Sequence, residues 1–594
     1  MKRRSFFKRA TFISAIAFLK PVFAFGHTSS SELQKEECGV KGVTKTQNRE
    51  EEKQKNHEGQ IKLGTDHISA TKRDRRIVVN LDTGWGLPGV EELDPVKFVD
   101  ANMEYLTGMP GGQVDSIWWC FGEMNYAPYP SKILPVRKDY QLWLQKGLDP
   151  LPICIGKCRE RNIEVFYTFR INGANDFGDW SLPPILEQHP DWGIPSSYWP
   201  KPWRHFNFAL EEVRNYKLGI IREVAERYDF DGIEIDWRAG LTTLPPMHAW
   251  EYRDSLTRFI RSVREMLLEV ANRRGKPYLL AVRVPEDIEG CHYDGLHIER
   301  WVDESLIDII ALGCKSFEVN MDVFKQMTYG THLKLYPSMD DFHRASGYEQ
   351  PTIELYRGVA STFLNQGADG IYAFNWSDVS AILDSLPLPQ QEQLRRQALC
   401  EMGSLDTLAL KDKRFVTQRH GGGGWPETAE HFYANTSAFA QLPKELSNNF
   451  SEETYIFIRV GDKFDTEVCE LAQLELHILL SDETAKNLPW GNRIHGEPVR
   501  IASQSSRDFN EPPARSIIDQ VRIRINGVIL DHPIIRDGWL IYQLKPFQLA
   551  LGSNVVAFKV SGRNLQEQKQ VTVEKLEINV KYAKTREVSR ALSP

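Results

Sequence analysis

The 594-residue sequence is poor in cysteine and lacks several short motifs that identify common classes of enzyme. Its eight cysteines are too few for a disulfide framework in a chain of this length. Cys154 and Cys158 lie close together in the sequence, but no second cysteine or histidine pair completes a zinc set. The His-Glu-x-x-His pattern of zinc proteases and the Gly-x-Ser-x-Gly elbow of serine hydrolases are both absent. We therefore expect no metal site and no cofactor.

The sequence also lacks an excess of positive charge. It carries 73 lysines and arginines against 80 aspartates and glutamates, a formal net charge of -7. We expect no nucleic-acid partner, because this balance provides no general attraction for a polyanion. Hydrophobic residues make up 41% and charged residues 26% of the chain, which excludes a polytopic membrane protein and a wholly disordered chain. The composition leaves the oligomeric state open.

Residues 1–24 have the features of an export signal, with a basic start, a short apolar run and a cleavage site at Val22-Phe23-Ala24. The stretch Arg3-Arg4-Ser5-Phe6-Phe7-Lys8 is similar to the twin-arginine export motif. An ordinary secretory signal is the alternative. Residues 25–76 are polar and mixed in charge, which predicts a disordered linker. We expect a periplasmic or extracellular protein with no integral membrane segment after signal removal.

Between residues 77 and 410 the chain alternates short apolar runs with longer helical patterns, which is typical of parallel βα units. Helices are predicted over residues 211–227, 249–274 and 353–365, where apolar side chains share one face. Eight such units predict a (β/α)8 barrel, with a doubly wound open sheet as the alternative. The predicted strands are 77–82, 114–120, 163–170, 232–237, 279–284, 307–313, 332–336 and 370–376.

From about residue 430 onward, short β-rich runs are joined by turn residues such as Asn526-Gly527, and no long helical pattern intervenes. This pattern predicts an accessory β-sandwich of jelly-roll type over residues 430–594. The predicted strands are 455–460, 474–480, 520–525, 539–544, 555–560 and 571–580.

Two carboxylates mark the fourth predicted strand. Glu234 and Asp236 are on the same face of this strand and point into the barrel, whereas Ile233 and Ile235 face the helices. A carboxylate buried there must meet a cation or act as an acid or base with a raised pKa, because an unpaired buried charge is costly. A structural ion pair with a basic side chain is the alternative for each.

The reactive residues of such barrels lie at the C-terminal ends of the strands. Here these ends supply charged, amide and aromatic side chains that suit a sugar, although a local ion pair, a helix cap or closure of the barrel is the alternative for each one. Trp118 is as good a candidate as Trp119. The residues predicted to bind substrate are Asp82, Trp119, Arg170, Trp237, Arg283, Lys315, Tyr336, Asn375 and Trp376.

Three stretches of the predicted barrel form a recognisable set of motifs. They are residues 207–237, which end in Asp231-Gly232-Ile233-Glu234-Ile235-Asp236-Trp237, then His189-Pro190-Asp191-Trp192, and Ala368-Asp369-Gly370-Ile371-Tyr372-Ala373-Phe374-Asn375-Trp376. These stretches resemble the family-ten-like glycosyl hydrolase group of bacterial (β/α)8 proteins. The second is similar to that group's His-Pro-Glu-Trp and the third to its last strand. The resemblance covers residues 77–400 and implies hydrolysis of a poly- or oligosaccharide, without indicating which one.

The fourth strand is also similar to the chitinase-like pattern Asp-Gly-x-Asp-x-Asp-Trp-Glu, whose final glutamate is the acid. Arg238 stands at that position, and Glu234 replaces the second aspartate. A substrate-assisted mechanism of the chitinase type would therefore lack its proton donor, and we assign the acid role to Asp236.

Glycosidic cleavage requires a carboxylic acid that protonates the leaving oxygen and a second carboxylate that acts as nucleophile or activates water. We predict that Asp236 is the general acid/base, that Glu234 tunes it, and that Glu286, in preference to Asp340, is the second carboxylate. The predicted protein is an exported glycoside hydrolase with a carbohydrate substrate.

The main alternative is a catalytically inactive carbohydrate-binding protein that presents aromatic platforms. Two carboxyl groups roughly 5 to 10 Å apart at the open end of the barrel would favour the enzyme, and a lone carboxylate paired to an arginine would favour the binding protein. A phosphate-handling, aldolase-like barrel is a second alternative, but the last two predicted strands are followed by no glycine-rich phosphate site.

Overall fold

The computed structural model describes residues 59–82, 94–122, 124–172, 182–195, 204–237, 243–313, 317–340, 348, 351–418, 440–464, 470–481, 493–494, 497–498, 520–536, 539–561 and 571–583. The predicted export signal and most of the predicted linker lie outside these residues.

Eight parallel strands close into a barrel, which confirms the predicted fold. Closure is direct, since Ile77 of the first strand pairs with both Val114 and Ile371. The first ten strands are β1 (Ile77–Asp82), β2 (Val114–Cys120), β3 (Glu164–Arg170), β4 (Gly193–Pro195), β5 (Arg204–Phe206), β6 (Gly232–Asp236), β7 (Leu279–Val284), β8 (Ile309–Leu312), β9 (Lys334–Asp340) and β10 (Ile371–Phe374). The order around the barrel is β1-β10-β9-β8-β7-β6-β3-β2, and β4 pairs with β5 outside it.

Helices follow the barrel strands and cover their outer face. Two have the predicted bounds, and a third begins at Arg253 because residues 247–252 form turns. The helices are α1 (Thr65–Thr71), α2 (Pro95–Thr107), α3 (Lys138–Gln145), α4 (Pro150–Glu160), α5 (Pro184–Gln188), α6 (Glu211–Arg227), α7 (Arg253–Arg274), α8 (Ile288–Tyr293), α9 (Ile298–Asp303), α10 (Met321–Thr328), α11 (Ile353–Asn365), α12 (Ser380–Leu383), α13 (Gln390–Leu399) and α14 (Leu405–Leu408).

Large side chains fill the middle of the barrel, so the barrel is a packed core and not a channel. The ring of Trp118 stacks on that of Phe166 with 4.7 Å between centroids. A Cβ at Gly232 would lie 2.3 Å from the Phe166 ring, so only glycine fits beside it. Trp118 therefore belongs to the barrel interior, and polar chemistry is confined to the layers nearer the strand ends.

Two larger antiparallel sheets among the described C-terminal residues share one apolar core. The strands are β11 (Lys413–Val416), β12 (Lys444–Glu445), β13 (Thr454–Val460), β14 (Leu471–Ser481), β15 (Arg493–Ile494), β16 (Glu497–Pro498), β17 (Val521–Ile525), β18 (Val528–Leu530), β19 (Ile534–Arg536), β20 (Trp539–Gln543), β21 (Gly552–Val560) and β22 (Thr572–Tyr582). One sheet has the order β11-β22-β14-β20-β19, with β12 also paired to β22, and the other has the order β13-β21-β17-β18. Strands β15 and β16 pair with each other in a separate two-stranded sheet. The sandwich already includes β11, which precedes the predicted start at residue 430.

The sandwich packs closely against helix α11 of the barrel. A Cβ at Gly358 would lie 2.0 Å from the carbonyl oxygen of Arg414, and one at Gly461 would lie 2.4 Å from the amide nitrogen of Thr362. The side chain of Asn365 donates a hydrogen bond to the carbonyl oxygen of Gly461. Backbone contact at these two glycines fixes the position of the sandwich against the barrel.

Helix α1 corrects the prediction of a disordered linker up to residue 76. Its His67 lies 2.9 Å from Asp308, a buried residue that also contacts His332 at 3.1 Å and forms a 2.8 Å ion pair with Arg264. Burial opposes the charge of Asp308, but Arg264 and the hydrogen bonds from the two histidines hold its pKa well below the usual value. A polar segment is therefore ordered by a buried charge, which its composition alone does not reveal.

We expect Asp308→Asn to lower the free energy of unfolding by about 3–5 kcal/mol, because it leaves the buried Arg264 without its counter-charge. Chemical denaturation of both proteins measures this loss. Glu269→Gln is the control, since Glu269 pairs with Arg222 on the surface and is 57% exposed; we expect a change below about 1 kcal/mol there. A comparably small change in Asp308→Asn would contradict the assignment.

Candidate active site

A buried ion pair lies at the carboxyl end of the barrel, where β6 and β7 end. Both oxygens of Asp236 accept hydrogen bonds from Arg283, at 2.9 Å from Nε and 2.7 Å from Nη2. Both side chains are fully buried. The Arg283 guanidinium also lies 3.9 Å from the centroid of the Phe374 ring on β10. The ion pair thus links two neighbouring strands and contacts a third from inside the barrel.

A second pair joins the ends of β1 and β3. Arg170 lies 2.6 Å from Asp82, and both side chains are buried. The Arg170 guanidinium is 5.7 Å from the same Phe374 ring. Two of the predicted substrate-binding arginines therefore meet carboxylates, so neither presents an uncompensated charge for an anionic sugar substituent.

Glu234 lies one layer deeper, below the ion pair. Its carboxylate accepts hydrogen bonds from Thr168 at 2.7 Å, from the Tyr372 hydroxyl at 2.8 and 2.9 Å, and from Asn80 at 3.3 Å. Burial and the charge of Asp236 raise the pKa of Glu234 to about 7, although Arg283 and the hydrogen bonds oppose the shift. Glu234 is completely buried, so it can hold a proton at neutral pH but cannot touch a substrate.

A cleft of about 570 Å³ opens between the barrel and the sandwich, beside the end of β7. Loops after β7 and β8 form one wall, and β13 with the start of β21 forms the other. Four carboxylates and one guanidinium are among the described residues that line it. The described residues that line the cleft are Glu286, Asp287, Glu289, Glu318, Val319, Asn320, Gln418, Ala440, Gln441, Phe457, Arg459 and Ser553.

Two of the carboxyl groups that line this cleft, Glu286 and Glu318, follow neighbouring barrel strands. Glu286, predicted as the second carboxylate, is buried directly after β7, and its carbonyl oxygen accepts a hydrogen bond from the Asn320 amide at 2.9 Å. Burial raises the pKa of Glu318 to about 7, while Arg459 and hydrogen bonds from Gln418 and Gln441 oppose the shift. The sequence analysis did not single out Glu318. Its position after the sixth barrel strand was the available signal, but its partners Gln418, Gln441 and Arg459 come from residues that follow the barrel.

The structure corrects the roles predicted for three tryptophans, because their rings are buried in the apolar layer outside the barrel. Trp119 stacks on Phe121, and Trp237 packs against Phe208 and Trp301. The centroid of the Trp376 ring lies 4.9 Å from that of Tyr356, and its indole donates to the carbonyl oxygen of Arg395. None of these rings offers a face to a sugar. Trp376 is turned outward because β10 ends at Phe374 and Asn375 has a φ of +50°.

Tyr336 is also not at the strand end. Strand β9 continues to Asp340, so Tyr336 lies in its first half and packs into the interior core with Trp118. Asn375 directly follows β10, is partly exposed, and its carbonyl oxygen accepts a hydrogen bond from Arg395. Lys315 lies outside the described residues.

No family model and no curated protein matches the chain. Solved structures that resemble it include alpha-L-fucosidase isoenzyme 2 from Paenibacillus thiaminolyticus, at 14% identity and a TM-score of 0.39, over 57% of this chain and 51% of the fucosidase. The chain thus spans about half the length of that enzyme. The PgaB glycoside hydrolase domain from Bordetella bronchiseptica matches at 15% identity and a TM-score of 0.38, over 56% of this chain and 99% of the domain.

An alpha-amylase from Geobacillus thermoleovorans matches at 12% identity and a TM-score of 0.36, over 83% of this chain and 100% of the amylase. All three similar structures are glycoside hydrolases by name. The barrel architecture of this chain itself rests on its strand pairing. Within the described ranges, no helix is both long and apolar enough to cross a membrane. The same residues include no group of three or more histidines, cysteines or carboxylates that could hold a metal ion.

We expect Trp376→Ala to lower the free energy of unfolding by about 3–5 kcal/mol, because it leaves a cavity between β10 and the helices. Trp250→Ala is the matched control, since Trp250 is 38% exposed; its loss is expected to be smaller. Thermal and chemical unfolding of both variants make the comparison. A Trp376→Ala protein that unfolds like the wild type would contradict the buried position.

The raised pKa of Glu234 predicts a pH-dependent stability. Between pH about 4.5 and 7 the folded state keeps a proton that the unfolded state has released, so wild-type stability falls as the pH rises, by at most about 1.4 kcal/mol per pH unit from this one group. Glu234→Gln removes that contribution, and its unfolding midpoint should decline less steeply across this window. Parallel profiles for the two proteins would show that Glu234 titrates normally.

Proposed function

We propose that this chain is a glycoside hydrolase whose catalytic carboxyl groups are Glu286 and Glu318, in the cleft between barrel and sandwich. The observation that carries the proposal is the raised pKa of Glu318, about 7, in the same cavity as Glu286. A group with this pKa is protonated in a large fraction of molecules at neutral pH, as a general acid must be. Two carboxyl groups in different surroundings can divide the acid and base roles of glycosidic cleavage.

Asp236 has a different part in this proposal. A general acid needs a proton that it can give up, whereas both oxygens of Asp236 accept hydrogen bonds from Arg283. We assign the pair a supporting role, in which it holds the ends of β6 and β7 beside Glu286 and determines the charge that surrounds Glu234. Asp236, Arg283 and Glu234 are therefore positioning residues.

Carbohydrate binding without catalysis is the second candidate function. It is favoured by the two arginine pairs, because Asp236 and Asp82 at the strand ends are both matched by a guanidinium. The two candidate functions make different demands on the cleft. A binding protein needs no proton donor there, whereas a hydrolase needs Glu318 in its protonated form.

The export of the protein is proposed from the sequence, on the basic start, apolar run and cleavage site of residues 1–24. A carbohydrate substrate outside the cytoplasm would agree with that location. The identity of the glycan is proposed only as a poly- or oligosaccharide.

Release of reducing ends from a polysaccharide panel tests the hydrolase. We expect Glu286→Gln and Glu318→Gln each to lower kcat about 10² to 10⁴-fold, the usual contribution of a general acid or base. In the wild type, activity should fall as the pH rises above about 7, because Glu318 then loses its proton.

Glu269→Gln on the exposed face of α7 is the control and should keep wild-type turnover. Wild-type activity in Glu318→Gln would remove this residue from the acid role. Binding to a glycan without any release of reducing ends would establish the second candidate function in place of the first.

A further inference from the structure

We infer that β13 of the sandwich forms a wall of the substrate cleft, on which a polymeric glycan without negative charge lies as it extends from the barrel. The inference rests on the proposed function for the location of the cleft. It adds a binding residue, Phe457, and a class of substrate.

Strand β13 presents aromatic rings beside the cleft. Phe457 lines the cavity and is 49% exposed, and Tyr455, on the same face of the strand, is 53% exposed. The alternate residues Ile456 and Ile458 are completely buried in the sandwich core. The two exposed residues are about 7 Å apart along the strand. An exposed aromatic ring that lines a cavity, with a second ring on the same strand face, is typical of a binding surface.

The position of Phe457 is fixed by its backbone. Its amide donates a hydrogen bond to the Gln441 side chain at 2.8 Å, and its carbonyl oxygen accepts from Gln441 at 2.9 Å and from Thr417 at 3.0 Å. Strand β13 is an edge strand, whose outer backbone groups would otherwise be open to another strand. At Phe457 these groups are already satisfied. The contacts therefore disfavour a peptide that adds to the sheet here and leave the ring as the binding element.

The cleft is formed before any ligand arrives. Arg459 of β13 donates a hydrogen bond to Asp322 of α10 at 3.4 Å, and the backbone at Gly461 is packed on α11. Contacts at Arg459 and at Gly461 thus join the two walls in the absence of a ligand. A preformed cleft avoids the entropic cost of ordering its walls when a ligand binds.

The charge of the cleft selects among glycans. Three carboxylates, together with Glu318 in the fraction of molecules that has released its proton, outnumber one guanidinium among the described lining residues. The resulting negative potential repels uronic-acid or sulfated chains and tolerates neutral or amino-sugar chains. Asn320 adds a side-chain amide that can bond to sugar hydroxyls. An aromatic ring beside amides and carboxylates matches the apolar faces and hydroxyl rims of a neutral polysaccharide.

Affinity electrophoresis of the full chain tests the inference. The probes are xylan, soluble starch, galactomannan and chitosan, with polygalacturonate as the anionic comparison. We expect at least one neutral or amino-sugar polymer to retard the wild type, and Phe457→Ala to lose about tenfold in affinity for it, which corresponds to about 1.4 kcal/mol. Phe457→Tyr keeps a ring and should retain most of the affinity.

Phe547→Ala is the matched control, because Phe547 is 76% exposed on the same domain and does not line the cleft. It should bind like the wild type, and the melting temperatures of all variants confirm that they are folded. Wild-type affinity in Phe457→Ala, retardation by polygalacturonate alone, or no retardation by any probe would overturn the inference. Wild-type dimerisation that Phe457→Ala abolishes would identify a second copy as the occupant and overturn it as well. Retardation without release of reducing ends would contradict the hydrolase and leave the polymer-binding wall intact.

Discussion

The buried ion pair between Asp236 and Arg283 is the interaction on which the carboxyl end of the barrel depends. It places opposite charges where neither side chain is exposed, and two hydrogen bonds join them. Asp236 raises the pKa of Glu234 and Arg283 lowers it, so the pair determines the protonation of the carboxyl below. Loss of either partner would leave the other charge buried and unpaired, which lowers the free energy of unfolding by about 3–5 kcal/mol.

The cleft is a product of two domains. The barrel supplies Glu286 and Glu318, whereas the sandwich supplies Phe457 and Arg459. The pKa of Glu318 depends on this junction, since its partners Gln418, Gln441 and Arg459 come from residues that follow the barrel. The proposed chemistry and the proposed substrate contacts thus share one physical origin, which is the close packing of the sandwich on helix α11 at Gly358 and Gly461.

The fold could be predicted where a single periodicity governs a segment. Helices α6 and α11 and strands β1, β2 and β7 have the predicted bounds, because their apolar residues follow one helical or extended pattern without interruption. Strand β9 is longer than predicted, since Pro337 indicates a strand end in the sequence. In the barrel the strand continues because β10 pairs with Ser338, Met339 and Asp340. Because the predicted strand ended at Tyr336, this residue was predicted to lie at the substrate site, whereas it belongs to the interior core of the barrel.

The sequence by itself determined the repeated βα units, the change to a β-rich region and the inward direction of Glu234 and Asp236, because these features depend on local periodicity alone. Only the tertiary structure decided which charges meet. Whether Asp236 donates a proton or binds Arg283, and whether Trp376 faces a sugar or Tyr356, depends on neighbours far apart in the chain. The same holds for Glu318, whose partners Gln418, Gln441 and Arg459 lie about a hundred residues or more further along the chain. Burial and pairing are properties of the closed barrel and its packed sandwich, and no local pattern encodes them.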